Sequence, residues 1–197
     1  MKKTLFSLLL LAISPVLWAF SLSDLSQTLQ KPQSVQGTFT QQRFLKSLNK
    51  PMTTRGQFAL LPKKGLLWHM QKPFETRLRV RADGIMQFNG KTWQPERGSK
   101  AGQSQQIQLF LDLLGGDTQG LAKQFDLRLT GSAQKWTLNL QPKTVLMKQI
   151  FQNIVISGDE VVRKIELVEK QGDKTVMQFD NVKRNAALDA FAQTALK

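Results

Sequence analysis

One histidine and no cysteine set the chemical limits of this chain. His69 lies in "GLLWHMQKPF" (65–74), with Trp68 and Met70 as neighbours. In a strand its side chain points opposite to theirs. A Ser-His-Asp centre would have to recruit this residue, and no Gly-x-Ser-x-Gly elbow surrounds any serine. Without cysteine, and with a single imidazole, the common zinc sets are out of reach, leaving all-carboxylate metal sites. The fourteen acids are scattered, and Asp159-Glu160 reads as the solvated tip of a turn. No carboxylate spacing suggests glycoside hydrolysis. The reading is a non-enzyme with no cofactor and no metal, in which His69 belongs to a wall and faces outward.

Charge is the second constraint. Twenty-eight basic residues against fourteen acidic ones give a formal charge of +14. Such an excess favours an anionic partner, whether nucleic acid, membrane surface or acidic protein. Nucleic acid fits poorly: the basic residues are dispersed, aromatics make up only 8% and there is no tyrosine. In "TRLRVRA" (76–82), Arg77, Arg79 and Arg81 alternate with Leu78, Val80 and Ala82, placing a positive strip on an outer face. With Lys63 and Lys64 in the preceding turn, these are the candidate contacts for an anionic partner or lipid. The same strip equally suits a plain solvated surface guarded against edge association.

The elements that position these groups can be read in order. Lys2 and Lys3 precede an uncharged apolar run, and Ala19 ends a cleavage site placed within about two residues. Residues 1–19 therefore read as a secretory signal peptide, and 20–197 as one exported domain, here expected to be a monomer. Removing the two lysines lowers the charge from +14 to +12. A short amphipathic helix follows, with Leu22, Leu25, Ser26 and Leu29 on one side, and Ser21 with Asp24 as a capping pair. Strands are expected at 35–44, 55–62, 66–70 and 76–82, with a short "IMQF" strand between the turn dipeptides Asp83-Gly84 and Asn89-Gly90. In residues 103–117, Ile107, Phe110, Leu111 and Leu114 fall at helical spacing behind Ser104, and Leu109 and Leu113 add further apolar surface. Asp117 caps a second short helix. Strands resume at 125–130 and 136–142, and three more follow to residue 182. That makes nine or ten strands with short turns: an antiparallel sheet long enough that it must curl or close. Phe39, Phe58, Leu60, Leu66, Trp68, Met70, Leu78, Val80, Met86 and Phe88 can all point to one face, covered by the two helical segments. An interior of this kind suits an apolar ligand.

"SVQGTFTQQ" (34–42), "GQFALLPKKGLLWHMQKP" (56–73) and the Asn89-Gly90-Lys91-Thr92 hairpin, followed by "WTLNLQPK" (136–143) and "IELVEKQGDKTVMQFDNVKRN" (165–185), resemble the periplasmic outer-membrane lipoprotein carriers, the LolA-like family. The resemblance implies a mainly β fold with helices, an incomplete antiparallel β-barrel covered by an N-terminal helix and a helical lid. It implies that the apolar face named above holds acyl chains of a lipoprotein or another envelope lipid, with Ile107, Phe110, Leu111 and Leu114 as the lid's inner face. Cargo would pass from an inner-membrane donor transporter to an outer-membrane acceptor; a lipid-sensing regulatory module is the alternative use of the same fold. Two departures stand out. Family carriers have a lid-bonding arginine beside the proline of the second strand, where this chain reads Leu60-Leu61-Pro62-Lys63-Lys64. The chain also ends soon after Phe191, without a longer terminal strand.

Overall fold

The computed structural model describes residues 20–81, 84–95, 109 and 111–196. The expected signal peptide, and Ile107 and Phe110 of the expected lid, lie outside the described residues.

Helix α1 (Leu22–Gln30) starts where the sequence places its cap. The Ser21 hydroxyl accepts the Asp24 N–H, and the Asp24 carboxylate accepts the Ser21 N–H at 2.9 Å. This reciprocal pair satisfies two of the helix's unpaired N-terminal donors. The Ser21 hydroxyl, which also donates to the Asp24 carboxylate at 2.7 Å, and then the Ser21 N–H hold Asp24 below the usual carboxylate range. Leu25 and Leu29 are buried from the same helix face.

The strands are β1 (Val35–Phe44), β2 (Met52–Leu61), β3 (Gly65–Lys72), β4 (Thr76–Arg81), β5 (Gly84–Phe88), β6 (Trp93–Pro95), β7 (Phe125–Ser132), β8 (Lys135–Pro142), β9 (Phe151–Gly158), β10 (Val162–Glu169) and β11 (Lys174–Arg184). They form one antiparallel sheet of eleven strands in the order β6-β5-β4-β3-β2-β1-β11-β10-β9-β8-β7. Each half is a meander of neighbours in sequence, and the single long-range pairing, β1 with β11, joins them. Among the described residues β6 and β7 are the free edges, so the barrel is incomplete. Laid flat at ~4.8 Å per strand gap, such a sheet would span about 48 Å, and a nine-residue helix covers only about 14 Å of it. Yet one continuous core runs from Val80 on β4 to Phe125 on β7 and includes Leu25 and Leu29. The sheet must therefore wrap around the helices.

The remaining helices are α2 (residues 111–115), α3 (Thr118–Gln124), α4 (Val145–Ile150) and α5 (Ala190–Leu196). Asp117 caps α3 as expected, its carboxylate accepting the Gly120 N–H at 2.9 Å. Strand β6 and helices α4 and α5 are additions to the expected plan. The Asn89 carboxamide oxygen accepts the Lys91 and Thr92 N–H groups, which shapes the β5–β6 turn.

Candidate functional site

Register decides which side chains share the inner face. Phe39 pairs with Gly56 and Phe179; Trp68 pairs with Phe58 and Leu78; Leu66 pairs with Leu60 and Val80. Residues directly opposite in an antiparallel pair point the same way. Phe39, Phe58, Leu60, Leu66, Trp68, Met70, Leu78 and Val80 thus meet on one face and join the main core. Phe39 stacks on Trp68 at 3.8 Å between ring centroids, and Phe179 packs edge-on to Phe58 at 5.3 Å. Gly56 permits this: a Cβ there would lie 2.0 Å from the His69 carbonyl oxygen and 2.8 Å from the Phe39 ring.

Met86 and Phe88 do not belong to that face. Val80 pairs with Ile85 and Leu78 with Gln87, so inward positions change from even to odd numbers between β4 and β5. Ile85 takes the inner place, while Met86 sits opposite Arg79 on the other face. Phe88 there packs on Trp93 and Phe191. The second half of the face is made by Leu138 and Leu140, which alternation in 136–142 puts on one side, and by Ile154, Ile156, Ile165 and Met177, which the candidate cavity did not include; all are buried. Their strict alternation in β8–β11 was the available signal.

The cover over this face includes α1 and the 109–115 stretch, with Leu121 of α3 and Met147 of α4 joining the same core. Leu109, Leu113 and Leu114 are buried, whereas Leu111 is half-buried at the margin. The residues counted as surplus apolarity are thus the more deeply seated ones. Helix α1 and the 109–115 stretch are fastened at one carbonyl. Gly116 O accepts from Ser26 Oγ at 2.7 Å and from Gln30 Nε2 at 3.0 Å. Gly116 has φ +69°, and a Cβ would come 2.6 Å from the Leu29 Cβ, so only glycine fits this close approach. Lys63 and Lys64 are exposed in the β2–β3 turn.

Packing is tight where α1 and Leu114 meet the sheet. Only about 10 Å³ is free among Leu29, Val35, Phe58, Leu60, Leu114, Val161 and Val162. The larger cavity, about 770 Å³, lies at the mouth of the apolar interior. There α1 and the 111–122 segment face the β2–β3 turn, with Leu22, Leu60 and Leu111 below and Lys63, Lys64 and Arg81 at the rim.

The outer face of β2–β4 is covered by α5, where Ala192, Ala195 and Leu196 pack on Ala59 and Leu67. The arginine strip is there, as expected, but engaged. The Arg77 guanidinium lies 4.9 Å from the Phe191 ring centre, and that of Arg79 lies 5.2 Å from the Trp93 ring centre. His69 also faces outward. Its Nε2 is 3.0 Å from Glu75 Oε1 and 3.3 Å from Arg77 Nε, which donates to it when the nitrogen is unprotonated. The His69 contact and the Arg77 charge hold Glu75 below the usual carboxylate range. A second cavity of about 560 Å³ lies beside these groups, under residues 186–192. Among the described residues no three His, Asp or Glu side chains gather as a metal-ligand set, and no helix is long and apolar enough to cross a membrane.

Comparison with known proteins places this arrangement. The family model described as outer membrane lipoprotein carrier protein LolA-like matches residues 18–196. Among curated proteins, the outer-membrane lipoprotein carrier protein of Azotobacter vinelandii is 27% identical over 177 residues, which is 86% of this chain and 81% of that one. The carrier of Pseudomonas putida KT2440 is 24% identical over 168 residues, 83% and 78% of the two chains. Among solved structures, a chain of the Pseudomonas aeruginosa MucA/MucB complex superposes with a TM-score of 0.52 at 17% identity, over 87% of this chain and 58% of that one. MucB by itself gives 0.54 at 17% identity, over 91% and 63%. This chain therefore spans less than two thirds of those two structures, and the likeness is one of fold.

Proposed function

The chain belongs to the LolA-like outer membrane lipoprotein carrier family, and from that membership we propose that it is a periplasmic carrier that shuttles acylated cargo, a lipoprotein or another envelope lipid, from the inner to the outer membrane. Residues 1–19 would direct export and be removed. An inner-membrane transporter would load the cargo and an outer-membrane acceptor would take it. The family is one of binding proteins, and the reading requires no covalent chemistry.

The observation that carries it is an apolar sheet face covered by short helices, among which α1 and the 109–115 segment are fastened to each other at Gly116 O. Beside Leu29 and Leu114 only about 10 Å³ is free, so an acyl chain entering there displaces side chains. Each methylene buried contributes ~0.8 kcal/mol, and each leucine displaced gives back about 2 kcal/mol. Net affinity is the difference between two similar quantities, which allows release as well as capture. The 770 Å³ mouth would hold the polar part of the cargo against Lys63, Lys64 and Arg81.

The test is mass spectrometry of the protein recovered from an exporting bacterium, followed by titration with a fluorescent fatty acyl probe. Acylated material should co-purify. Leu111→Glu, at the half-buried margin, should leave the fold intact and weaken probe binding about tenfold or more, because a carboxylate is not tolerated beside hydrocarbon. Protein free of acyl material that binds no probe would overturn the proposal.

A further inference from the structure

Six large apolar side chains are strongly exposed among the described residues: Phe44 (40%), Leu48 (49%), Met52 (57%), Phe74 (81%), Val145 (75%) and Leu146 (43%). They fall in three stretches of the sequence, 44–52, 74 and 145–146, which the topology brings to one end. β1 ends at Phe44, β2 begins at Met52, β3 runs into the turn holding Phe74, and β8 runs into α4, which begins at Val145. In an antiparallel sheet these are all the same end, opposite the β2–β3 turn and the cavity mouth.

The same end is basic. Lys46, Lys50, Lys72, Lys143, Lys148 and Lys170 are exposed there and enter no ion pair among the described residues. Its carboxylates are largely engaged: Glu75 with Arg77, and Glu169 and Asp173 with Arg43. The loops are tied to one another. The Lys46 N–H donates to the Asp173 carboxylate at 3.1 Å, the Lys170 N–H to Ile150 O at 2.9 Å, and the Lys143 N–H to Gln124 O at 2.9 Å. The apolar tips are therefore held on a braced platform.

We propose that this end of the sheet is a docking surface for an anionic lipid bilayer. Single apolar side chains spread over separate loops and interleaved with lysines suit insertion among headgroups: the apolar tips enter the interface and the ammonium groups meet lipid phosphates. A protein partner would call for a contiguous apolar patch at the centre with charge at its rim, and here the two are mixed. Docking in this way turns the cavity mouth away from the bilayer, towards a protein donor or acceptor. The surface is independent of the carrier reading, because it makes no use of the interior.

The experiment is co-sedimentation of the full chain with vesicles of phosphatidylcholine alone and of phosphatidylcholine containing a third phosphatidylglycerol. Every variant carries the same N-terminus, so its contribution cancels. Binding should require phosphatidylglycerol and fall with salt. The pairs Lys46→Glu/Lys50→Glu and Leu48→Ser/Phe74→Ser should each weaken it about tenfold or more, while Lys135→Glu/Lys183→Glu, exposed at the opposite end, should stay within about twofold. All these positions are exposed, so thermal unfolding should be nearly unchanged. The proposal is overturned if protein-free vesicles are not bound, if lysine reversals at the two ends weaken binding equally, or if binding needs native membranes and is lost when their proteins are digested.

Discussion

The double variant Ser26→Ala/Gln30→Ala probes the fastening of the cover directly. In the closed form Gly116 O accepts, besides a local bond from the Thr118 N–H at 2.9 Å, two neutral side-chain hydrogen bonds at 2.7 and 3.0 Å, each contributing ~1 kcal/mol. Removing both leaves a buried carbonyl without these donors, so closure weakens by about 2 kcal/mol, or roughly 30-fold in the open fraction. Helix α1 itself should not suffer, since alanine is a better helix former than serine or glutamine by several tenths of a kcal/mol. The effect should therefore appear locally. Hydrogen exchange at the Asp117 amide, which bonds to Asp112 O at 2.9 Å, should accelerate by up to that factor, while amides in the β1–β11 ladder should keep their protection. If acyl binding draws on the open form, probe affinity should rise by the same factor, because apparent affinity scales with the competent fraction. Unchanged exchange at Asp117 together with unchanged probe affinity would refute the assignment of closure to these two bonds. A uniform loss of protection would mean that they support the whole fold instead.

Two further outcomes follow from the core and from the charges. Phe39→Ala removes a ring that is 1% exposed and stacked on Trp68; it should cost about 3–5 kcal/mol and lower Tm by roughly 10 °C, with a shift in tryptophan emission. Glu166 accepts from Lys164 and Lys174, each at 2.6 Å, and these hydrogen bonds hold its carboxyl below the usual range. A depressed carboxylate contributes stability that is present above its unfolded pKa and lost as pH falls through the folded one. Glu166→Gln should therefore destabilise by under about 1 kcal/mol at pH 7. The gap between variant and parent in urea unfolding should close as the solution is acidified below the ordinary glutamate range.

What could be read in advance was what depends on near neighbours. The Ser21–Asp24 cap, the limits of β1, the Asp117 cap and the clean alternation of β4 and β8 are local statements, and the structure agrees with each. Met86 and Phe88 were misplaced because facing depends on how two strands pair across a connection, a relation that the composition of either strand does not reveal. Helix α4 left a trace in Thr144, whose hydroxyl accepts the Met147 N–H. Helix α5 left one in Asp189, whose carboxylate accepts the Ala192 N–H at 2.7 Å. Both helices are short, six and seven residues, too short to hold their shape without packing. No local pattern told that α5 would lie on the outer face and bring Phe191 over Arg77. The site was half legible for the same reason: the aromatic side stood out, while Ser26, Gln30 and Gly116 meet across some ninety positions of chain.

The place of β1 in the strand order bears on how the molecule is made. β1 lies mid-sheet, hydrogen-bonded on one side to β2 and on the other to β11, where Val35 faces Arg184. During synthesis from the N-terminus, the first meander can assemble as it emerges, but its inner border stays raw until the last strand arrives to close the seam. Slow steps in folding, and any mispairing between neighbouring nascent copies, should therefore concentrate along β1. A helper that shields this border would act there, before the sheet is whole.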